Sequence, residues 1–314
     1  MVEETVRVED VLPKPVGIDE SRSGTIQTVA VVGLGTMGQG IAQIIAQQGI
    51  QVLLYDKDKE SLDRALREIE EILDHEIERW GITKSDKRAI LSRMQPTQDK
   101  HQLKDADLVI EAVPDTLSLK KELFVEFDNI CRPETIFVSN TSTLSLTEIA
   151  EATGRQDKVI GMHFLNPVPK TQLVEIVRAL KTSDATFQYV KTFGERLGKT
   201  VVEVYEYPGY VTTRVILPML NEAMYVLMEG VATADGIDTA MKLGYGFNIG
   251  PLALTDLIGL DVVMSWMESL FKELGDLKYR PCPLLRKMAR AGHLGRKTGE
   301  GFFKYDDSGK IIAE

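Results

Sequence analysis

The chain has 314 residues, enough for two domains, and 43% of them are hydrophobic, which is ample material for buried cores. Its formal net charge of −10, from 37 basic and 47 acidic residues, argues against nucleic acid as a partner but leaves room for a local basic pocket. Apolar runs are too short to cross a bilayer, so no membrane is expected, and Cys131 and Cys282 sit far apart without metal-ligand spacing, which predicts a reduced, cytoplasmic setting.

Residues 1–24 carry six acids, three bases and two prolines with no apolar segment. That composition suits neither a signal peptide nor a transit peptide, and the stretch reads as an extension without assigned function. Next, Thr28-Val-Ala-Val-Val32 is a run of β-branched residues that suits a strand buried on both faces. It leads into Gly33-Leu-Gly35-Thr36-Met37-Gly38, then a helix over 36–48 with Ile41, Ile44 and Ile45 inward, then the strand Gln51–Tyr55, ended by Asp56.

That order of strand, glycine turn, helix, strand and acid is the arrangement that holds a dinucleotide. The first glycine makes the bend, the second lets the backbone approach a diphosphate, and the third lets helix and strand pack closely. Free N–H groups of Thr36 and Met37 at the helix start would meet the phosphate charge. Asp56 would accept the ribose hydroxyls and repel a 2′-phosphate, favouring NAD over NADP, although Lys57 and Lys59 leave the second cofactor open.

A charged helix follows over 58–79 with a buried stripe of Leu62, Leu66, Ile69, Ile72, Leu73 and Ile77, and His75 on its solvated side. A shorter helix, Lys84 to Ser92, precedes a turn at Pro96. Leu108–Val113 and Ile136–Asn140 read as strands separated by the helix Leu119–Ile130, and Ser145 and Glu148 have capping-box spacing for a helix through Ala152. Alternating strands and helices predict an α/β, Rossmann-type, mostly parallel sheet whose ligand sits beyond the strands' carboxyl ends. Gly33 to Gly38, Asp56, Glu111, Asn140 and Ser142 all fall there.

Val159–His163 and Leu173–Val177 are two further strands, joined by Phe164-Leu-Asn166-Pro167-Val-Pro169, a connection that can bring His163 and Glu175 side by side. A carboxylate on one imidazole nitrogen fixes the tautomer and stabilises the imidazolium when the other nitrogen takes a proton. Oxidising an alcohol by hydride transfer needs such a base. Ser142 and Asn166 are candidates to bond the reacting oxygen, with ordinary turn residues as the alternative.

After Tyr207 the pattern is helical: Thr212–Glu229 with a kink expected at Pro218, Ala234–Leu243, Leu252–Ile258, Val262–Leu274 and Leu284–Ala291. The chain therefore divides into the extension 1–24, a dinucleotide-binding domain 25–207 and an all-helical domain 208–314. Two near-matches to a P-loop, Gly194 to Thr200 and Gly295 to Thr298, are rejected: the first has the wrong spacing and joins helix to strand, and the second lacks the glycine before its lysine.

From residue 25 onward the chain resembles the L-3-hydroxyacyl-CoA dehydrogenase family, in its short bacterial 3-hydroxybutyryl-CoA form. The likeness is carried by Val32–Ala42, Glu111-Ala-Val113, Asn140-Thr-Ser142, His163–Pro169, Leu173-Val-Glu175, Pro208-Gly-Tyr210, Gly250-Pro251, Asp256–Asp261 and Leu294–Gly301. The resemblance implies His163 as base with Glu175 as its partner, and Ser142 and Asn166 on the reacting oxygen. It also implies an acyl-CoA substrate, a CoA-phosphate contact from Lys120 or Lys121, with a solvated helix face as the alternative, and a homodimer through the helical domain. Leu217, Leu220, Met224 and Leu227 are candidates for that interface, with internal core as the alternative. Where the family reads Pro-Gly-Phe and then Asn-Arg, this chain has Tyr210 and then Thr213-Arg214, so Thr213 stands in the place of a substrate-binding asparagine. Asp115 likewise replaces a glutamate, and Asn248-Ile249 replace Pro-Met. These changes leave open a different hydroxy acid or modified acyl-CoA, or a cofactor-binding sensor without turnover.

Overall fold

The computed structural model describes residues 26–312 apart from positions 80 and 307, so the reading of residues 1–24 lies outside the described residues. Strands β1 (Thr28–Val32), β2 (Gln51–Tyr55), β3 (Met94–Thr97), β4 (Leu108–Glu111), β5 (Ile136–Ser139), β6 (Val159–Phe164), β7 (Leu173–Arg178) and β8 (Thr200–Tyr205) form one sheet. Their order is β3-β2-β1-β4-β5-β6-β7-β8. All neighbours are parallel except β6 and β7, which the loop of residues 165–172 turns back on each other.

Both sheet faces are covered, which is why β1, β4 and β5 are apolar without alternation. Val29 and Val31 pack with Ile41 and Ile45 of α1 (Thr36–Gln47), with α2 (Lys59–Glu78), and with Phe187 and Phe193 of α6 (Asp184–Arg196). Ala30 and Val32 face the other layer, where Phe124 and Phe127 of α4 (Leu117–Ile130) each meet Phe137 of β5 at a centroid distance of 5.9 Å.

Three local expectations change. The turn at Pro96 is instead edge strand β3, where proline costs nothing because its missing N–H faces no partner strand. The stripe on α2 holds at Leu62, Ile69 and Leu73, whereas Ile72 is 41% exposed because only one side of this long helix meets the sheet. Ser145 caps α5 (Leu146–Ala150) by accepting from Glu148 N, but its hydroxyl donates to Glu206 rather than joining a reciprocal box.

Beyond β8 the described residues form helices and isolated bridges only: α7 (Thr212–Met228), which runs through Pro218, α8 (Ala234–Tyr245), α9 (Pro251–Ile258), α10 (Leu260–Leu274) and α11 (Pro283–Arg290). Leu217, Leu220 and Met224 are fully buried in this domain's own core, so the internal reading holds for them and they offer no subunit surface; Leu227 packs partly buried against the same core. The last segment is pinned by Asp256, which accepts from Phe302 N, Phe303 N and the Tyr305 hydroxyl at 2.8–2.9 Å. Gly295 and Gly301 pack so closely on Asp256 that any side chain would clash, which accounts for the second P-loop-like string as a packed tail.

Candidate active site

The glycine turn has the shape a diphosphate needs. Gly33 adopts φ 89°, and an added Cβ would lie 2.8 Å from Val113; at Gly38 it would lie 1.9 Å from Gly33 O. At Gly35 nothing stands within 4 Å, so the backbone there faces open space with exposed Thr36 beside it and Met37 half-buried. Asp56 reaches across from the end of β2, accepting from Leu34 N at 3.3 Å, so its carboxylate borders the same turn. These residues fit a dinucleotide.

His163 and Glu175 are direct partners across the antiparallel pair of β6 and β7, with Nδ1 and Oε2 2.6 Å apart. Both are buried. Glu175 also accepts from Val211 N at 3.1 Å, Thr212 N at 2.8 Å and the Thr212 hydroxyl at 2.8 Å, so the start of the helical domain is tied to the His163–Glu175 pair. Burial pushes the Glu175 carboxyl up, but the hydrogen bond and charge of His163 with the Thr212 donors outweigh it and hold the acid below its ordinary range. A carboxylate on Nδ1 makes that nitrogen the N–H donor and leaves Nε2 with a lone pair able to take a proton.

Around this pair, Ser142 lies buried after β5, its N–H and hydroxyl donating to Asp115 at 3.4 and 3.2 Å. Asn140 accepts from Phe164 N at 3.1 Å, which ties the ends of β5 and β6 and leaves its NH₂ group available. Asn166 follows β6 on an exposed loop, in a cis peptide bond to Pro167. That loop is held by Lys199, whose ammonium donates to the carbonyls of Val168 and Thr171 at 2.6 and 2.7 Å, which explains the first P-loop-like string as loop support. Thr213 is buried in the first turn of α7.

The expectation for Lys120 is overturned. Its side chain is fully buried, with Nζ 2.6 Å from Glu111 Oε1, 3.1 Å from Asp115 Oδ1 and 3.1 Å from Val113 O, because position 120 falls on the face of α4 that packs on the sheet. Its ammonium faces the interior rather than the solvent side where a phosphate contact was expected. Lys121, one residue on, is partly exposed. Glu111 is correspondingly saturated: Oε1 takes Lys120 and Val113 N, and Oε2 takes the Ser139 hydroxyl at 2.6 Å, so it shapes the strand end rather than offering a free carboxylate. Burial pushes the Glu111 acid up, opposed chiefly by Lys120.

Thr212 was not singled out by sequence as part of this site, and Asp115 and Tyr210 stood out only as departures from the resembling family, with no partner assigned to either. The Pro208-Gly209 turn just before them is the one signal that the chain re-enters here. A cavity of about 290 Å³ lies between the two domains beside Ser142, with Asp115, Thr143 and Leu144 on one wall and Asp261, Ser265 and Trp266 of α10 on the other. No group of three or more His, Cys, Asp or Glu suited to a metal ion occurs among the described residues.

Comparison with known proteins agrees with this architecture. Residues 28–207 match the family described as 3-hydroxyacyl-CoA dehydrogenase, NAD binding domain, and residues 209–305 match its C-terminal domain. The probable 3-hydroxybutyryl-CoA dehydrogenase of Bacillus subtilis is 47% identical over 282 residues, spanning 90% of this chain and 98% of that protein. The 3-hydroxybutyryl-CoA dehydrogenase of Clostridioides difficile is 46% identical over 278 residues, 88% of this chain and 99% of that one. The crystal structure of (S)-3-hydroxybutyryl-CoA dehydrogenase PaaH1 from Ralstonia eutropha superposes with a TM-score of 0.85 at 43% identity, covering 90% of this chain and all of that one.

Proposed function

The chain belongs to the 3-hydroxyacyl-CoA dehydrogenase family and is an NAD-dependent enzyme, and from that premise we propose that it interconverts a short-chain (3S)-3-hydroxyacyl-CoA, 3-hydroxybutyryl-CoA in particular, and the 3-oxoacyl-CoA, with His163 as the base. The observation that carries this reading is the buried His163–Glu175 pair, 2.6 Å apart on β6 and β7 of the same sheet that carries the glycine turn. Bound NAD supplies the hydride acceptor. The turn from Gly33 to Gly38, with Thr36 and Met37 at the start of α1, would hold its diphosphate, Asp56 its ribose, and Asn140 the nicotinamide end.

In the oxidative direction His163 Nε2 takes the hydroxyl proton as the carbonyl forms, and Glu175 stabilises the resulting imidazolium. Ser142 and Asn166 donate to the reacting oxygen, and charge building there is best met by donors already in place. Thr213 has a shorter, branched hydroxyl where an amide would both donate and accept at longer reach. Thr213→Asn is therefore expected to raise kcat/KM about tenfold, the worth of one oriented hydrogen bond. The assay is acetoacetyl-CoA-dependent loss of reduced-nicotinamide absorbance. Turnover by the wild type supports the proposed reaction, whereas inertness toward acetoacetyl-CoA together with turnover of a free hydroxy acid would remove it. Lower activity in Thr213→Asn would show that the threonine suits this chain's own substrate.

The helical domain leaves Val215, Val231, Leu243 and Tyr245 at 70%, 69%, 83% and 77% exposure, an apolar surface that supports a homodimer. Sedimentation equilibrium is expected to give twice the chain mass; a monomer at every concentration would sink this. No helix among the described residues is long and apolar enough to cross a membrane. Both cysteines are buried free thiols, and burial pushes Cys131 up to about 11, which suits a reducing compartment such as the cytoplasm.

A further inference from the structure

Tyr210 carries several unusual features at once. It is the one described residue other than glycine with a positive φ, 50°, a conformation that is strained for a bulky side chain and persists only where its surroundings enforce it. Its side chain is 5% exposed, and its ring lies against the His163 imidazole, centroids 5.5 Å apart and planes at 59°. Leu146, Val177, Ala179 and Val204 pack around it. Yet its hydroxyl, buried among these groups, has no hydrogen-bond partner among the described residues.

A buried hydroxyl without a partner has lost its water and gained nothing in return, so such groups are few and call for a reason. The backbone bend explains the main chain, since it delivers Val211 N and Thr212 N to Glu175. It does not explain the oxygen, because phenylalanine would fill the same space and face His163 equally well. Indeed the resembling family opens its helical domain with Pro-Gly-Phe, where this chain has Pro208-Gly209-Tyr210. Burial, with the carboxylates of Asp115, Glu206, Glu175 and Glu111 nearby, pushes the phenol well above its ordinary range, so it stays an O–H donor. What the geometry does place is the ring, which lies on the imidazole of the proposed base at the joint between the two domains.

We propose that the Tyr210 hydroxyl is a hydrogen-bond donor reserved for the occupied site, where it meets an oxygen of the 3-oxoacyl or 3-hydroxyacyl thioester, or a water held by that oxygen, beside Ser142. Tyr210 is then a substrate-specificity residue, supplying from the end of a ring the reach that the short Thr213 hydroxyl lacks. The inference rests on the reaction proposed above.

The test is Tyr210→Phe, read in three ways: kcat/KM for acetoacetyl-CoA, the thermal midpoint of the enzyme alone, and the midpoint with NADH and acetoacetyl-CoA. Loss of one ligand hydrogen bond is expected to lower kcat/KM about tenfold and to shrink the ligand-induced rise in midpoint. The midpoint of the enzyme alone is expected to stay level or rise, because an unpartnered buried oxygen has been removed. An unchanged kcat/KM, or a fall in the midpoint of the enzyme alone, overturns the proposal, the second outcome marking the hydroxyl as structural. Wild-type enzyme inert toward acetoacetyl-CoA would instead sink the substrate reading itself, and this inference with it.

Discussion

His163→Ala is expected to lower kcat for acetoacetyl-CoA reduction by a factor of about 10² to 10⁴, the usual contribution of a positioned acid–base group. Affinity for NADH, followed by fluorescence titration, should change little, because the glycine turn and Asp56 lie on other strand ends and make no contact with the imidazole. Glu175→Gln keeps the shape but replaces the carboxylate that sets the tautomer, and it also weakens the hold on Val211 and Thr212. Its kcat should fall less than in His163→Ala, and the double variant should be no worse than the alanine, since the two residues act as one unit and their effects do not add. A His163→Ala enzyme with wild-type kcat would end the case for this base.

The largest expected effect on stability comes from Lys120→Met. Lys120 and Glu111 are each fully buried and 2.6 Å apart, and removing the ammonium leaves a carboxylate in the sheet interior with only the Ser139 hydroxyl and Val113 N to serve it. Breaking a buried pair from one side typically costs about 3–5 kcal/mol. Urea denaturation should show that loss in Lys120→Met. Much of it should return in the double variant Glu111→Gln, Lys120→Met, where no lone charge is left inside. Equal stability of single and double variants would mean that Glu111 is protonated without its partner, and that burial alone governs it. Lys121→Met, on the partly exposed face, should lose less than 1 kcal/mol, as surface changes usually do.

The contrast between Lys120 and Lys121 also marks where sequence reading stops. A charged residue on an amphipathic helix is normally solvated, and nothing in Leu117–Ile130 says that one lysine faces inward. The answer lies in Glu111, nine residues earlier and on another element, because a buried carboxylate and a buried ammonium are each tolerable only when they meet. Similar reasoning applies to Pro96. Proline in a short polar stretch reads as a turn, and only the sheet order, which makes β3 an edge, explains why a strand accommodates it.

Much of the molecule was decided locally and could be read as such. The glycine turn, its helix and Asp56 are contiguous, and each glycine's role follows from backbone sterics within a few residues. Apolar runs 28–32, 108–111 and 136–139 are strands buried on both faces because their side chains leave no polar side to expose. The facing of His163 and Glu175 was legible for the same reason: a short connection between two strands permits only a narrow range of registers. What only the tertiary structure decided is the joint between the domains. Glu175 is completed by Val211 and Thr212, and Tyr210 is pressed strained and unpartnered against His163. Those contacts link residues separated by 36 to 47 positions. Their partners are fixed by how a helical domain docks on a sheet edge, and no local pattern of charge or apolarity encodes that docking.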